Sequence, residues 1–235
     1  MEIDKVSKFI LNRLKNGLTN ESNLLHELNK AKLNTILMKS NMSIERFYSD
    51  VIFTEKERGS LLCNLLFHCS NPDLVLNNIN WKDFEIIVSS AFDYSGYSTL
   101  HNYRIKTENK SNIEIDVIAF KFPFLFLIDC KYHKKSPPSY YSKAAVLQKK
   151  RLDYLIEVFP EIYSDLITRL GLPVRNVVKL IALVVSWKNV PIKISDGVPI
   201  VPLFKLSSFL KEIDEFEDEI YKFSFSISYS TSAIS

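Results

Sequence analysis

Two segments near the middle of the chain carry acidic residues inside sequence that otherwise favours buried strands. The first covers residues 113–119, and the second, after an apolar stretch that contains Pro123, covers residues 127–131. Their β-branched and aliphatic residues predict strands of one sheet. A carboxylate in such a strand is costly to bury unless a cation accompanies it. The chain is therefore constrained to a fold in which a polar site is built into a sheet.

The elements around these segments follow the order of a mixed α/β domain: one helix, three strands, a second helix and a further strand. Asn80 is a good N-cap for the first helix, in which Trp81, Phe84, Val88, Ala91 and Phe92 form an apolar stripe. The predicted bounds are 81–93 for the helix, 97–107, 113–121 and 124–131 for the strands, 142–159 for the second helix and 177–187 for a central strand.

Residues 1–75 predict a separate, all-helical region. Amphipathic stretches occur near residues 3–14 and 24–38, and Thr54 and Glu57 form a capping-box pattern. Turn-forming residues then cluster from Pro72 onward, so residues 76–235 are predicted to form the α/β domain, with a C-terminal strand-helix-strand extension. The N-terminal helices are either a DNA-reading module resembling a winged helix or a packing and dimerisation element. The sequence leaves both open.

The composition, 46% hydrophobic and 24% charged over 235 residues, is that of an ordinary globular protein. Apolar runs stay far short of the roughly 18 residues that a membrane span needs, and the N-terminus lacks the pattern of a signal peptide. A cytoplasmic protein without a membrane segment is therefore expected. The three cysteines, with no zinc-site spacing among them, predict reduced thiols.

The charge is unevenly distributed, although its net value is only +3. Seven basic residues and no acidic ones lie between Cys130 and Leu152, whereas residues 211–220 contain six acids and one lysine. A basic run of this kind is either a solvated helix face or a surface that contacts phosphate groups.

Strand geometry brings three of the charged residues together. Asp129 and Lys131 are two positions apart and project from the same face, and an antiparallel neighbour can place Asp116 beside them. A divalent cation would compensate the two carboxylates, and oxygen ligands suit Mg²⁺ or Mn²⁺. This set of groups fits phosphodiester hydrolysis, in which the lysine orients a water or offsets negative charge. The alternative is an ordinary ion pair at a strand end, with Asp116 in a turn.

Asp116, followed after twelve residues by Asp129-Cys130-Lys131, resembles the motif of the PD-(D/E)xK nuclease superfamily, and the order of elements over residues 81–187 resembles its restriction-endonuclease-like fold. The local sequence is most similar to archaeal Holliday-junction resolvases and methylation-dependent restriction endonucleases. One departure is Ile115, which stands at the position of the motif's proline. The resemblance implies a metal-dependent endo- or exonuclease that acts on DNA, with RNA not excluded.

The same resemblance implies further site residues. Glu85, on the inward side of the first helix, would assist in metal binding, although it also fits the edge of the apolar stripe. The backbone carbonyl of Cys130 would be a metal ligand. Gln148, on the second helix, would by the same resemblance lie near the active site and contact nucleic acid. Charge, and not the resemblance, predicts contacts with a nucleic-acid backbone for Lys134, Lys135, Lys149 and Arg151.

Two other functions are compatible with the sequence. One is a catalytically inactive module of the nuclease fold that binds nucleic acid within a larger assembly, and the other is an interaction protein that binds no nucleic acid. The tail at residues 223–229 alternates between polar and apolar residues, which predicts a strand with one buried face. Such a strand would pair with a partner subunit in a homodimer.

Overall fold

The computed structural model describes residues 2–16, 30–49, 52–69, 71–106, 112–133, 136–173 and 176–226. Over these residues the fold is α/β, as predicted, with a mixed seven-stranded sheet and helices. The helices are α1 (Glu2–Asn16), α2 (Lys30–Lys39), α3 (Ile44–Tyr48), α4 (Glu55–His68), α5 (Pro72–Asn77), α6 (Trp81–Tyr94), α7 (Pro138–Leu170), α8 (Leu206–Lys211) and α9 (Ile213–Phe216). The strands are β1 (Ser98–Lys106), β2 (Asn112–Lys121), β3 (Phe124–Lys131), β4 (Val177–Ser186), β5 (Ile194–Ser195), β6 (Val198–Pro202) and β7 (Lys222–Ser226).

The chain divides into two compact units, residues 1–90 and 91–235. The division falls within α6, later than the boundary that the sequence predicts at residue 75. The first unit contains helices, and the second contains the whole sheet together with α7, α8 and α9.

Capping interactions fix the starts of two helices in the first unit. The capping box predicted at Thr54 and Glu57 opens α4, and a matching exchange of hydrogen bonds between Asn80 and Asp83 opens α6. Glu57 also accepts two hydrogen bonds from the Arg46 guanidinium, at 2.6 and 2.7 Å. This bidentate pair joins α3 to α4.

The sheet is built from an antiparallel meander and a parallel strand beside it. The strand order is β1-β2-β3-β4-β6-β5, with β1, β2 and β3 antiparallel and β4 parallel to β3. The end of β4 pairs with β6, and the start of β4 pairs with β7. The predicted central strand is therefore confirmed, because β4 has neighbours on both edges.

Helix α7 covers one face of the sheet and is longer than the predicted helix. It continues through Pro160 to Leu170, whereas the sequence predicts an end at Phe159. Pro160 is exposed, and the apolar stripe continues beyond it through Tyr163 and Leu166, which are buried. Burial of this stripe stabilises the helix enough to accommodate the proline.

The opposite face of the sheet is covered by aromatic side chains. Phe126, on β3, is fully buried and contacts the rings of Phe92, Tyr97 and Phe209 at centroid separations of 5.7, 5.8 and 6.5 Å. Because both faces of β3 are covered, its side chains are apolar on both faces from Phe124 to Ile128, and Asp129 is the first charged residue of the strand.

Three sequence expectations need correction. Trp81, predicted in the buried stripe of α6, is 55% exposed, since it occupies the first turn of the helix. In β2 the alternation of side chains with a period of two predicts Ile115 and Ile118 on opposite faces, but both belong to the same buried cluster. The described part of the predicted tail strand pairs with β4 of the same chain, while residues 227–229 lie outside the described residues. Its burial is also shallower than expected, with Phe223 37% exposed.

No helix among the described residues is long and apolar enough to cross a membrane.

We expect the Arg46–Glu57 pair to make stability depend on pH. Hydrogen bonds from Arg46, the largest effect, lower the pKa of Glu57 to about 2, against an ordinary value of 4.5. Since the folded-state pKa is depressed, the stabilisation is fully present above about pH 4.5 and is lost as the pH falls toward 2. Glu57→Gln should lower the free energy of unfolding by about 1–2 kcal/mol at pH 7, measured by urea denaturation, and the difference should shrink over that window. The control Glu55→Gln, on an exposed position of the same helical turn, should change it by less than about 0.5 kcal/mol. Equal effects of the two variants would contradict this account.

A second prediction concerns Gly197, in the turn before β6. Its φ is +77°, and a Cβ atom there would lie 2.9 Å from Tyr221 Cβ and 3.0 Å from Tyr221 N. Gly197→Ala should therefore destabilise the protein by about 2–3 kcal/mol, from left-handed strain and steric overlap together. Gly171→Ala isolates the strain, because φ is +73° there and a Cβ would meet no atom of the described residues within 4 Å. Thermal unfolding should show a clearly smaller loss for the Gly171 variant.

Candidate active site

Asp116 lies where the ladders on both sides of β2 are interrupted. The β2–β3 ladder ends at the pair Val117↔Ile128, so the next opposed positions are Asp116 and Asp129. On the other side, the β1–β2 ladder skips the pair of Asp116 with Asn102, which has a φ of 48°. In place of a ladder bond, Asp116 Oδ2 accepts a hydrogen bond of 2.7 Å from the backbone N–H of Cys130. The carboxylate is thereby fixed beside β3 at the level of Asp129.

Asp129 forms the buried floor of this site. Asp129 is only 2% exposed. Each of its carboxylate oxygens contacts a positively charged side chain. Lys131 Nζ lies 2.7 Å from Oδ2, and Arg151 Nη1 lies 2.8 Å from Oδ1. The predicted convergence of Asp129 with Lys131 is present in the structure, and it follows from their separation by two strand positions.

Gln148 and Arg151 connect helix α7 to the floor of the site. Gln148 is fully buried, and its Nε2 donates to the backbone carbonyl of Leu127 on β3 at 2.9 Å. Its Oε1 accepts a hydrogen bond of 3.0 Å from the same Arg151 Nη1 that bonds Asp129. The two residues are three positions apart on α7 and so share one face of the helix.

The electrostatics of the site reflect its burial. Burial, followed by the charge of Asp129, raises the pKa of Asp116 to about 6, while the Cys130 N–H, Lys131 and Arg151 act in the opposite direction. Burial alone would lower the pKa of Lys131, but the charge of Asp129 and its contact with the ammonium raise it above the ordinary value. The two carboxylates therefore repel each other at a site where water screens them poorly.

One atom of the site has unused bonding capacity. Asp129 Oδ2 is buried and forms an ion pair of 2.7 Å with Lys131 Nζ, and no further hydrogen bond to this oxygen is present among the described residues. The N–H and C=O groups of one strand residue point to the same side, so the carbonyl of Cys130 points toward the side of Asp116, as its N–H does. These oxygens are a chemically suitable set for a hard divalent cation.

The set remains small by the standards of metal sites. Within the part of the chain that the structure describes, no three His, Cys, Asp or Glu side chains gather closely enough to hold a metal ion. A cation at this site would rely on two carboxylates, on backbone oxygen and on ligands from outside the chain.

The other predicted residues have different surroundings. Glu85 belongs to the first compact unit and is 8% exposed, in agreement with its expected inward position on α6. Lys134 and Lys135 lie outside the described residues. Lys149 Nζ lies over the ring of Tyr221, 4.2 Å from its centroid. The metal-binding role of Glu85 and the nucleic-acid contacts of the three lysines remain predictions.

Sequence reasoning missed the contact between Arg151 and Asp129. It placed Arg151 only among residues that contact a nucleic-acid backbone, because the basic run gave no sign of which member faces the sheet. The spacing of Gln148 and Arg151 was the available signal. A buried glutamine three positions before an arginine marks the helix face that meets polar groups of the sheet.

No family model matches the chain, and no curated protein matches it. Among solved structures, the chain is similar to the crystal structure of protein VC1899 from Vibrio cholerae, with a TM-score of 0.33 and 14% sequence identity. The match covers 93% of this chain and 57% of that one, so the chain spans little more than half of that protein's length. This likeness carries no argument about function.

The network predicts that Gln148 supports the protein's stability. Gln148→Met keeps a similar volume but removes the bond to Leu127 and the acceptor for Arg151, which should lower the free energy of unfolding by about 1–3 kcal/mol. Lys150→Met, at an exposed position on the same helix, should change it by less than about 0.5 kcal/mol. Chemical denaturation of both variants measures the difference, and a neutral Gln148 variant would show that the network contributes little.

Proposed function

We propose that this chain is a divalent-metal-dependent nuclease that hydrolyses phosphodiester bonds, with DNA as the expected substrate and RNA not excluded. The proposal rests chiefly on one observation: Asp116 and Asp129 occupy opposed positions on neighbouring strands, next to the Lys131 ammonium. The order of elements around them also resembles the PD-(D/E)xK nuclease fold.

The residues that would hold a metal ion are Asp116, Asp129 and the backbone carbonyl of Cys130. Oxygen donors of this kind favour Mg²⁺ or Mn²⁺. When bound, such an ion supplies Lewis-acid polarisation of the phosphoryl group.

Lys131 has a separate task in this proposal. It carries positive charge next to Asp129 and retains some exposure, with 22% of its side chain accessible. Its ammonium can donate to an attacking water and offset the negative charge that develops on the phosphoryl oxygens. Asp129 would hold the Lys131 ammonium in position for this task, because the two side chains project from the same face of β3 and form an ion pair.

Binding of the nucleic-acid backbone is assigned to the basic stretch at the start of α7 and before it. Lys134, Lys135 and Lys149 would contact phosphates through charge, which makes binding sensitive to salt and independent of sequence. Gln148 is assigned a supporting role, because it is buried against β3. We further propose a cytoplasmic location.

A second function is favoured by a specific observation. Lys131 and Arg151 already compensate both oxygens of Asp129 without a metal ion. A chain whose carboxylate is neutralised by its own cations fits a catalytically inactive module of the same fold that binds nucleic acid within a larger assembly.

The test compares the wild type with Asp129→Asn and Lys131→Met on supercoiled, linear, single-stranded and four-way-junction DNA, in Mg²⁺, Mn²⁺ or EDTA. We expect cleavage by the wild type only with a divalent ion, and a loss of about a hundredfold or more in each variant. Lys150→Met, on the exposed side of α7, serves as the control and should cleave at a rate close to that of the wild type.

The other outcomes separate the two functions. DNA binding by a wild type that cleaves no substrate would favour the inactive module. Cleavage that persists in Asp129→Asn would remove this site from the reaction. A protein that neither binds nor cleaves DNA would exclude both functions.

A further inference from the structure

Arg151 is held by one end of its guanidinium group. A single nitrogen, Nη1, donates to both Asp129 Oδ1 and Gln148 Oε1, at 2.8 and 3.0 Å. Gln148 is itself fixed through its bond to the backbone of β3. The guanidinium is therefore anchored to the two most buried polar side chains of the site, which are 2% and 0% exposed.

The other end of the same group is open to ligands. Nε and Nη2 of Arg151 make no hydrogen bond to any described residue, and 34% of the side chain is accessible to solvent. A guanidinium has five N–H donors in a rigid fork, so two donor directions remain for a partner. That partner must be an acceptor, and an anion suits it best because the group is always charged.

We infer that Arg151 binds the phosphate group that is cleaved, and that it is a catalytic residue in addition to Asp116, Asp129 and Lys131. This inference rests on the proposed nuclease function. The ligand class is a phosphodiester, whose non-bridging oxygens match the spacing of the guanidinium fork. Fixation of Nη1 orients the fork before the substrate arrives, which lowers the entropic cost of forming the contact.

The neighbouring cations of α7 are placed differently. Lys149 lies against the Tyr221 ring, and Lys150 is exposed on the outer side of the helix. A contact to the nucleic-acid backbone away from the cleaved bond suits Lys149, but such a contact would not require a bond to Asp129. The direct contact of Arg151 with the floor of the site is what separates its role from theirs.

The experiment measures binding of the dinucleotide d(TpT), which carries a single phosphodiester and is too short to engage distant lysines at the same time. Binding is followed by NMR titration in EDTA, where cleavage cannot occur. Arg151→Met should weaken binding about tenfold, and Arg151→Lys should weaken it several-fold, because the charge is retained and the fork is lost. The control Lys150→Met should bind within about twofold of the wild type.

Three results would overturn the inference: no saturable binding of d(TpT) by the wild type, equal binding by Arg151→Met and the wild type, or an equal loss in Lys150→Met. Circular dichroism checks the fold of each variant. If Arg151→Met does not fold, Arg151→Lys decides, and wild-type affinity in that variant overturns the inference.

Cleavage of linear DNA by the same proteins keeps the two proposals apart. If the wild type cleaves DNA and Arg151→Met matches it in both kcat and d(TpT) affinity, the inference fails and the nuclease function stands. If the wild type cleaves nothing while Arg151→Met loses d(TpT) binding, the phosphate site stands and the nuclease function fails.

Discussion

The carboxylate of Asp129 is buried near the end of an apolar strand, where an isolated negative charge would be strongly destabilising. Two cations offset it: Lys131 approaches from the same strand, and Arg151 approaches from helix α7. Because Arg151 is also tied to Gln148, and Gln148 to the backbone of β3, the packing of α7 on the sheet and the geometry of the site depend on each other. A shift of the helix along the sheet would leave a buried charge without one of its partners.

The second carboxylate reaches the site through a local departure from regular sheet structure. Among the described residues Asp116 has no ladder partner on either side. Its side chain accepts the hydrogen bond from the backbone N–H of Cys130 that a backbone carbonyl of β2 would accept if the ladder continued. The β2 and β3 strands therefore part at the level of the two aspartates. Burial and the charge of Asp129 raise the pKa of Asp116, which reflects the repulsion that a bound cation would relieve. The interrupted β2–β3 ladder and the polar site therefore have one cause: the Asp116 side chain, and not the backbone of β2, bonds the Cys130 N–H.

Much of the fold follows from local patterns. The bounds of β3 agree with the prediction, those of β2 and β4 differ from it by one residue at one end, and β1 begins one residue later than predicted, because apolar runs and turn residues delimit these strands clearly. The predicted end of β1, at residue 107, lies outside the described residues. The long helix was underestimated, since Pro160 is a local signal for termination and the buried stripe beyond it is a tertiary one. Trp81 was misplaced for a related reason: apolar periodicity cannot tell which first-turn residue the rest of the protein covers.

The sequence by itself determined that Asp129 and Lys131 share a strand face, because side chains alternate with a period of two, and hairpin pairing set Asp116 opposite them. It did not determine which cation of the basic stretch completes the site. Lys149, Lys150 and Arg151 are consecutive, and each step along a helix turns the side chain by about 100°. Only the packing of the α7 stripe on the sheet fixes that rotation, so that Lys149 meets Tyr221, Lys150 meets solvent and Arg151 meets Asp129. Local sequence sets the order of these side chains, and contacts between distant parts of the chain set their directions.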